Sequence, residues 1–233
     1  MTFPVQYAYL ALGLLYLIFW LILFLSRRDL RREMLISSLL AGFLAIILEP
    51  FFLKDYWTPE LINGWSVGIE DFLYGFAIGG IANVLYEEFF KKRFIRKRSE
   101  RYHWRFLLIL YIVSFSVLLL GREFWGLNTM YATLGALGAA FLSIMLFRPD
   151  LARDAIWSGI LFTMITALVY IPVILSFPDF ITSFWHLKNL SGILLGGIPL
   201  EEFLWAFMFG LVAGPFYEAW AGLKLRKVRY SKL

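Results

Sequence analysis

The chain contains no cysteine, only two histidines, and few charged residues, which make up 17% of its 233 positions. Without cysteine there can be no disulfides, thiolate nucleophiles, iron–sulfur clusters or cysteine zinc sites. His103 and His186 fall in different loops, so no histidine metal site is expected, and neither a metal nor a cofactor is assigned. No segment alternates apolar and polar residues as a strand does, which disfavours an outer-membrane barrel. No strand–GxGxxG–helix unit is present either; the pairs Gly79-Gly80 and Gly196-Gly197 read as packing positions and a helix start, and a nucleotide-binding unit is not supported. The first residues lack a basic n-region and a small-residue cleavage site, so Val5–Leu25 reads as a retained helix and not as a cleaved signal.

Apolar residues are abundant instead. The chain is 61% hydrophobic and 19% aromatic, with a mean hydropathy of +0.72. These values lie far above those of a soluble domain and indicate an all-α, polytopic membrane protein. About 20 residues are needed to cross the hydrocarbon core. Seven segments meet or approach that length: Val5–Leu25, Met34–Leu53, Val67–Phe90, Phe106–Gly121, Met130–Phe147, Ala155–Leu175 and Ile198–Leu223. The net charge of +5 is a topology signal, not a sign of nucleic-acid binding: 19 of the 22 Lys and Arg fall in alternate loops and the C-terminal tail, with only Lys54, Arg122 and Lys188 opposite. The positive-inside rule then places the N-terminus outside and the C-terminus in the cytoplasm of a multi-pass cell-membrane protein.

The chain repeats itself. Glu70, Phe72, Leu73, Phe76, Gly79, Ala82, Tyr86 and Glu87 match Glu201, Phe203, Leu204, Phe207, Gly210, Ala213, Tyr217 and Glu218 at one constant offset. The stretch from Arg27 to Glu33 matches that from Arg148 to Asp154 at another. Chance similarity of apolar helices does not account for charges and glycines in register. The expected plan is a 3+1+3 parallel tandem repeat: residues 1–98 form the first three-helix unit, 99–126 a linker helix, and 127–233 the second unit with its basic tail.

Within this plan, carboxylates collect at one depth. Glu70 and Asp71 open the third helix, Glu201 and Glu202 the seventh, and Glu49 closes the second; the position matching Glu49 in the other half is Tyr170. Acids inside a membrane are costly and mark functional sites. The helical wheel puts Asp71 on a stripe with Gly75, Gly79, Ala82 and Tyr86, and Glu202 on a stripe with Ala206, Gly210, Ala213 and Tyr217. Small-residue stripes mark close helix contact, so Asp71 and Glu202 are expected to face the interior, with Glu70 and Glu201 flanking them. Tyr74, Trp205, Phe72, Phe203, Phe76, Phe207 and Tyr170 are the expected substrate-lining side chains. Glu87 and Glu218, beside Lys and Arg at the other ends of the same helices, read as interfacial ion pairs. A desolvated carboxyl next to a carboxylate can act as a general acid in an apolar site, and nearby aromatic faces can stabilise a cation. Such a layer suits alkene isomerisation without redox, and it suits proton-coupled transport.

Ile198-Pro199-Leu200-Glu201-Glu202 resembles the Pro-x-Glu-Glu signature of the small membrane lycopene cyclases, and the tandem three-helix units with an acid late in the second helix resemble them too. The resemblance implies a membrane carotenoid cyclase. A carboxyl would protonate the terminal double bond of a linear carotene, and a six-membered ring would close by attack of an inner double bond. A carboxylate would then remove a proton. Glu201, Glu202, Glu70, Asp71 and Glu49 carry the matching acids, with the acid and base roles left open. The first half departs from the pattern with Gly68 for Pro and Asp71 for Glu, and the second with Tyr170 for the helix-2 acid. The expected partners are a linear carotenoid or other isoprenoid drawn from the bilayer, the bilayer itself, and a homo- or hetero-oligomeric partner chain, with no nucleic acid. Two alternatives stand beside this reading: a proton-coupled transporter of small solutes and a non-catalytic isoprenoid- or lipid-binding protein. A retinal receptor is excluded because no Lys lies in the middle of the last helix.

Overall fold

The computed structural model describes residues 4–62, 64–95 and 103–227. Of the basic residues that set the expected topology, Arg96, Lys97, Arg98, Arg101, Arg229 and Lys232 lie outside the described residues. The described residues form seven helices of 16 residues or more: α1 (Ala8–Ser26), α2 (Arg31–Phe52), α3 (Ile69–Phe89), α4 (Trp104–Leu119), α5 (Thr129–Phe147), α6 (Ala152–Ser176) and α8 (Leu200–Ala221). A short helix, α7 (Phe180–Phe184), sits in the loop before α8.

The helices α2 and α6 start earlier than hydropathy suggests. Their first turns are polar (Arg31, Arg32 and Glu33 in α2; Arg153 and Asp154 in α6), and an acid in the first turn is favoured by the helix dipole. The fourth apolar segment continues past α4 as a turn of wider π geometry, Leu120–Phe124. Gly196 and Gly197, read in the sequence as a helix start, instead form the turn of a two-stranded hairpin, β2 (Leu194–Leu195) and β3 (Ile198–Pro199). Both have positive φ, 62° and 86°, which a two-residue hairpin turn of this kind requires and glycine supplies without strain. At the other end of the molecule, β1 (Lys92–Ile95) pairs antiparallel with β4 (Lys224–Lys227), tying together the chain segments that leave α3 and α8.

Among the described residues, five segments are long and apolar enough to cross a membrane: Val5–Ser26, Arg31–Phe52, Trp104–Phe124, Thr129–Phe147 and Pro149–Ser176. They expose large apolar side chains such as Ile22, Phe43, Ile47, Leu108, Ile112, Leu142, Leu146 and Leu168. A lipid-facing surface explains so much exposed hydrocarbon. The helices α3 and α8 are different. They carry the acidic pairs, lie outside that set of five, and sit at the centre of the bundle, in contact with each other.

Glycine lets these two central helices approach their neighbours. A Cβ on Gly79 would strike the side chain of Ala41 and lie 2.9 Å from the Ser37 carbonyl on α2. A Cβ on Gly210 would lie 2.7 Å from both the Ser158 carbonyl and the Gly159 Cα on α6. Packing of this kind without large side chains is how helices associate where water supplies no driving force. Asn83 joins α3 to α8, its Nδ2 donating to the carbonyls of Ala213 at 2.8 Å and Gly214 at 3.2 Å.

Candidate functional site

The site is built from the acidic-pair end inward. The loop after α2 and the loop after α6 are joined to each other: Thr58 N donates to the Phe184 carbonyl at 2.8 Å, and His186 N to the Tyr56 carbonyl at 2.8 Å. Trp57 and Trp185 form a bridge there, with their rings 5.3 Å apart. The pairing turns Tyr56 and Trp185 down onto the start of α8.

Glu202 receives them. The Tyr56 hydroxyl donates to its Oε1, Trp185 Nε1 donates to the same oxygen at 2.9 Å, and the Tyr170 hydroxyl donates to Oε2 at 2.7 Å. Three donors, all on buried residues, thus converge on one buried carboxylate from two loops and α6. Asp71 has a smaller set. The Tyr9 hydroxyl donates to Oδ1 at 2.9 Å and Gly68 N to Oδ2 at 2.7 Å, so Asp71 also caps its own helix.

The first acid of each pair points elsewhere. Glu201 accepts from the Tyr131 hydroxyl at 2.8 Å and from Ser191 N at 2.7 Å. Glu70 accepts from Ile62 N at 3.1 Å. Each therefore fastens the loop that precedes its helix. The sequence placed these two beside the interior acids as flanking groups, and their bonds show what that flank holds.

A cavity of about 170 Å³ lies under the paired loops. Its wall includes Glu49, Glu202, Tyr9, Tyr56, Trp57, Tyr74, Thr133, Tyr170, Trp185 and Trp205 among otherwise apolar side chains. Glu49 is buried with the Trp57 indole beside it, and its Oε1 has no hydrogen-bond partner. Asp71 stands one layer back, behind Tyr9. A second apolar cavity of about 190 Å³ adjoins the first between α2, α4, α5 and α8, and both share Ala41, Leu44, Leu48, Thr133, Leu137 and Phe209.

Of the aromatic side chains expected at the site, Tyr74, Trp205 and Tyr170 line the cavity. Phe72, Phe76, Phe203 and Phe207 do not, because they fill contacts between helices. Phe72 packs on Gly42 and Phe43, Phe76 on Trp20, Phe207 on Gly159, and Phe203 against the buried core. The sequence reading missed Tyr56, Trp185, Tyr9 and Trp57. The only available signal was the density of aromatics in the two loops, Tyr56-Trp57 and Phe184-Trp185, which the interfacial default for aromatics conceals.

The opposite ends of α3 and α8 correct another expectation. Glu87 and Glu218 are fully buried, and none of their carboxylate oxygens has a hydrogen-bond partner. Two guanidinium groups from other loops bind the backbone there. Arg27 Nη1 donates to the Glu87 carbonyl at 3.0 Å, and Arg148 Nη1 to the Glu218 carbonyl at 3.0 Å. Their ion pairs go to Asp29 and Glu88 and to Asp150.

Comparison with curated proteins gave no match, and comparison with solved structures gave none. Comparison with family models did. The model described as lycopene cyclase matches residues 6–90 and 128–220, two stretches that contain both acidic pairs and Glu49 and together span well over half of the chain. An apolar helical bundle with carboxylates beneath paired aromatic loops is thus matched along most of its length by that one family, and the chain belongs to the lycopene cyclase family.

Proposed function

We propose that this protein is a membrane-embedded carotenoid cyclase that closes the end-group ring of a linear, lycopene-type substrate by proton transfer without redox change. One observation carries the reading: two differently furnished carboxyl groups, Glu49 and Glu202, stand in the wall of a single apolar, aromatic-lined cavity.

The surroundings suggest how to divide the labour. Glu202 is met by three donors, the setting of an anion. Glu49 stands in the same apolar wall with one buried oxygen that has no donor, the setting of a neutral acid that can give a proton. In the proposed sequence Glu49 protonates the terminal double bond of the substrate, leaving a tertiary carbocation. The inner double bond attacks that carbon and forms the ring bond, which moves the cation into the ring. A neighbouring carbon then loses a proton to a carboxylate, for which Glu202 is the candidate, and a ring double bond forms. One proton enters and one leaves. The faces of Tyr74, Trp205 and Trp185 offer cation stabilisation along the way. Asp71 supports Tyr9 in the wall, and Glu70 and Glu201 hold the covering loops. The adjoining second cavity offers room for the rest of the polyene.

The architecture we assign to this function has seven spans. The acid-bearing α3 and α8 cross at the centre, and the N-terminus lies outside with the C-terminus cytoplasmic. The two halves, 1–98 and 127–233, form a parallel repeat about the linker helix in 99–126. Matching contacts in the two halves support the repeat: Arg27 on the Glu87 carbonyl and Arg148 on the Glu218 carbonyl, Ser37 under Gly79 and Ser158 under Gly210. A proton-coupled transporter is less well supported, because the cavity wall offers a polar solute few partners besides its two acids, tyrosines and Thr133.

The reading is tested by expressing the full chain in lycopene-accumulating cells and separating the carotenoids. Monocyclic or bicyclic products are expected. Unchanged lycopene from a correctly inserted protein overturns the proposal for that substrate.

A further inference from the structure

Behind the arginine loops, at the end of the bundle remote from the aromatic site, Glu33, Asp154, Glu87 and Glu218 come together. Glu33 and Asp154 lie in the first turns of α2 and α6, and Glu87 and Glu218 in the last turns of α3 and α8. All four are buried, at 3%, 2%, 0% and 0% exposure. Glu33, Glu87 and Glu218 each bring a carboxylate oxygen within 4.8 Å of the others. For three atoms so spaced there is always a point within about 2.8 Å of every one of them, a small contraction away from the ~2.3–2.6 Å of calcium–oxygen bonds.

Acidic side chains gather on many proteins without holding an ion, so the gathering alone decides nothing. Here Glu87 and Glu218 are fully buried, both oxygens of each lack a hydrogen-bond partner, and one oxygen of each lies within 4.8 Å of the other's and of a Glu33 carboxylate oxygen. Burying carboxylates without compensation is strongly unfavourable. The guanidinium groups of Arg27 and Arg148 stand close enough for their charges to act on these acids, but they direct donors to the backbone carbonyls of Glu87, Glu218 and Leu223 and to Asp29, Glu88 and Asp150. The donor set is all oxygen, with no sulfur or imidazole, which selects a hard divalent cation.

We propose that Glu33, Glu87 and Glu218, with Asp154 as the fourth carboxylate, bind one hard divalent cation, calcium or magnesium. The cation cross-links the ends of α2, α3, α6 and α8 and fastens the two acid-bearing central helices to each other at the end away from the aromatic site. This metal site is separate from the cyclisation chemistry and stands or falls independently of it.

The test uses the full chain purified into lipid nanodiscs. Metal content is measured after exhaustive dialysis, and thermal unfolding is followed with EDTA and after adding back calcium, magnesium or manganese chloride. About one equivalent of divalent metal per chain is expected, together with a fall in melting temperature of several degrees on chelation that one of the chlorides reverses. The double variant E87Q/E218Q should lose both the metal and the response. Should that variant not fold, the single variant E33Q should still show at least tenfold weaker binding, read from the electron paramagnetic resonance of titrated manganese. Background metal in the wild type, with a melting temperature indifferent to EDTA and to all three cations, overturns the proposal and leaves the cluster as protonated acids. A cation response of equal size in the variants overturns it as well, since the ions would then be acting elsewhere.

Discussion

The two halves of the chain put unlike groups at matching positions. Near the end of α2 stands Glu49; at the matching place in α6 stands Tyr170. At the start of α3 stands Asp71, held by Tyr9 and its own cap; at the start of α8 stands Glu202, held by Tyr56, Tyr170 and Trp185. The substitution of Tyr170 for an acid does not simply remove a group from a second site. Its hydroxyl becomes a donor to Glu202, and the two halves turn their different side chains toward one cavity. The comparison teaches that likeness of sequence between two stretches need not mean likeness of chemistry, because the donors around a carboxyl decide which form it favours.

The sharpest way to break that asymmetry is to restore the missing acid. Tyr170→Glu should not create a second site; it removes a donor from Glu202 and sets a like charge against it. Cyclised product should fall at least about a hundredfold, within the range general acid–base contributions span, as measured by carotenoid separation at equal membrane levels. Gly210→Val comes next. The new side chain meets Gly159 and the Ser158 carbonyl, and overpacking of this kind costs about 1–3 kcal/mol. A melting temperature lowered by several degrees in nanodiscs is expected. Gly13→Ala, with nothing within 4 Å of the new Cβ, should leave it unchanged. Tyr56→Phe deletes one of the three donors to Glu202 and should lower product about tenfold, in keeping with the ~1.5–3 kcal/mol of a hydrogen bond to a charged group. The smallest effect belongs to Phe72→Leu. This residue packs between α2 and α3, outside the cavity wall, so product should stay within about twofold while stability drops by ~1 kcal/mol.

Much of this arrangement was legible in the sequence. Apolar run length located the seven long helices of the described residues to within a few residues; it fell short where polar first turns (Arg31 to Glu33, Arg153 and Asp154) extend a helix beyond its hydrocarbon and where the fourth segment runs on through Phe124. The small-residue stripe placed Gly79 and Gly210 against their neighbours, and the 100° step between adjacent residues separated Glu202 from Glu201. Loop pairing was not legible. Tyr56 and Trp185 are 129 residues apart, and only the backbone bonds between their loops bring them to one carboxylate. The same limit explains Glu87 and Glu218. Basic neighbours in the sequence suggested ion pairs, but the carboxylate oxygens have no hydrogen-bond partner, and guanidinium groups from distant loops, Arg27 and Arg148, bind the backbone carbonyls there.

The central claim is that Glu49 and Glu202 perform the chemistry while Glu70 and Glu201 hold the covering loops. It is tested most directly by the cyclised-product yield of four single variants, E49Q, E202Q, E70Q and E201Q, expressed at equal membrane levels in lycopene-accumulating cells. The account predicts loss of product by about a hundredfold or more for the first two, and retention within a few-fold for the last two. Full product from E49Q or E202Q, or a collapse with E70Q or E201Q as deep as theirs, would contradict it.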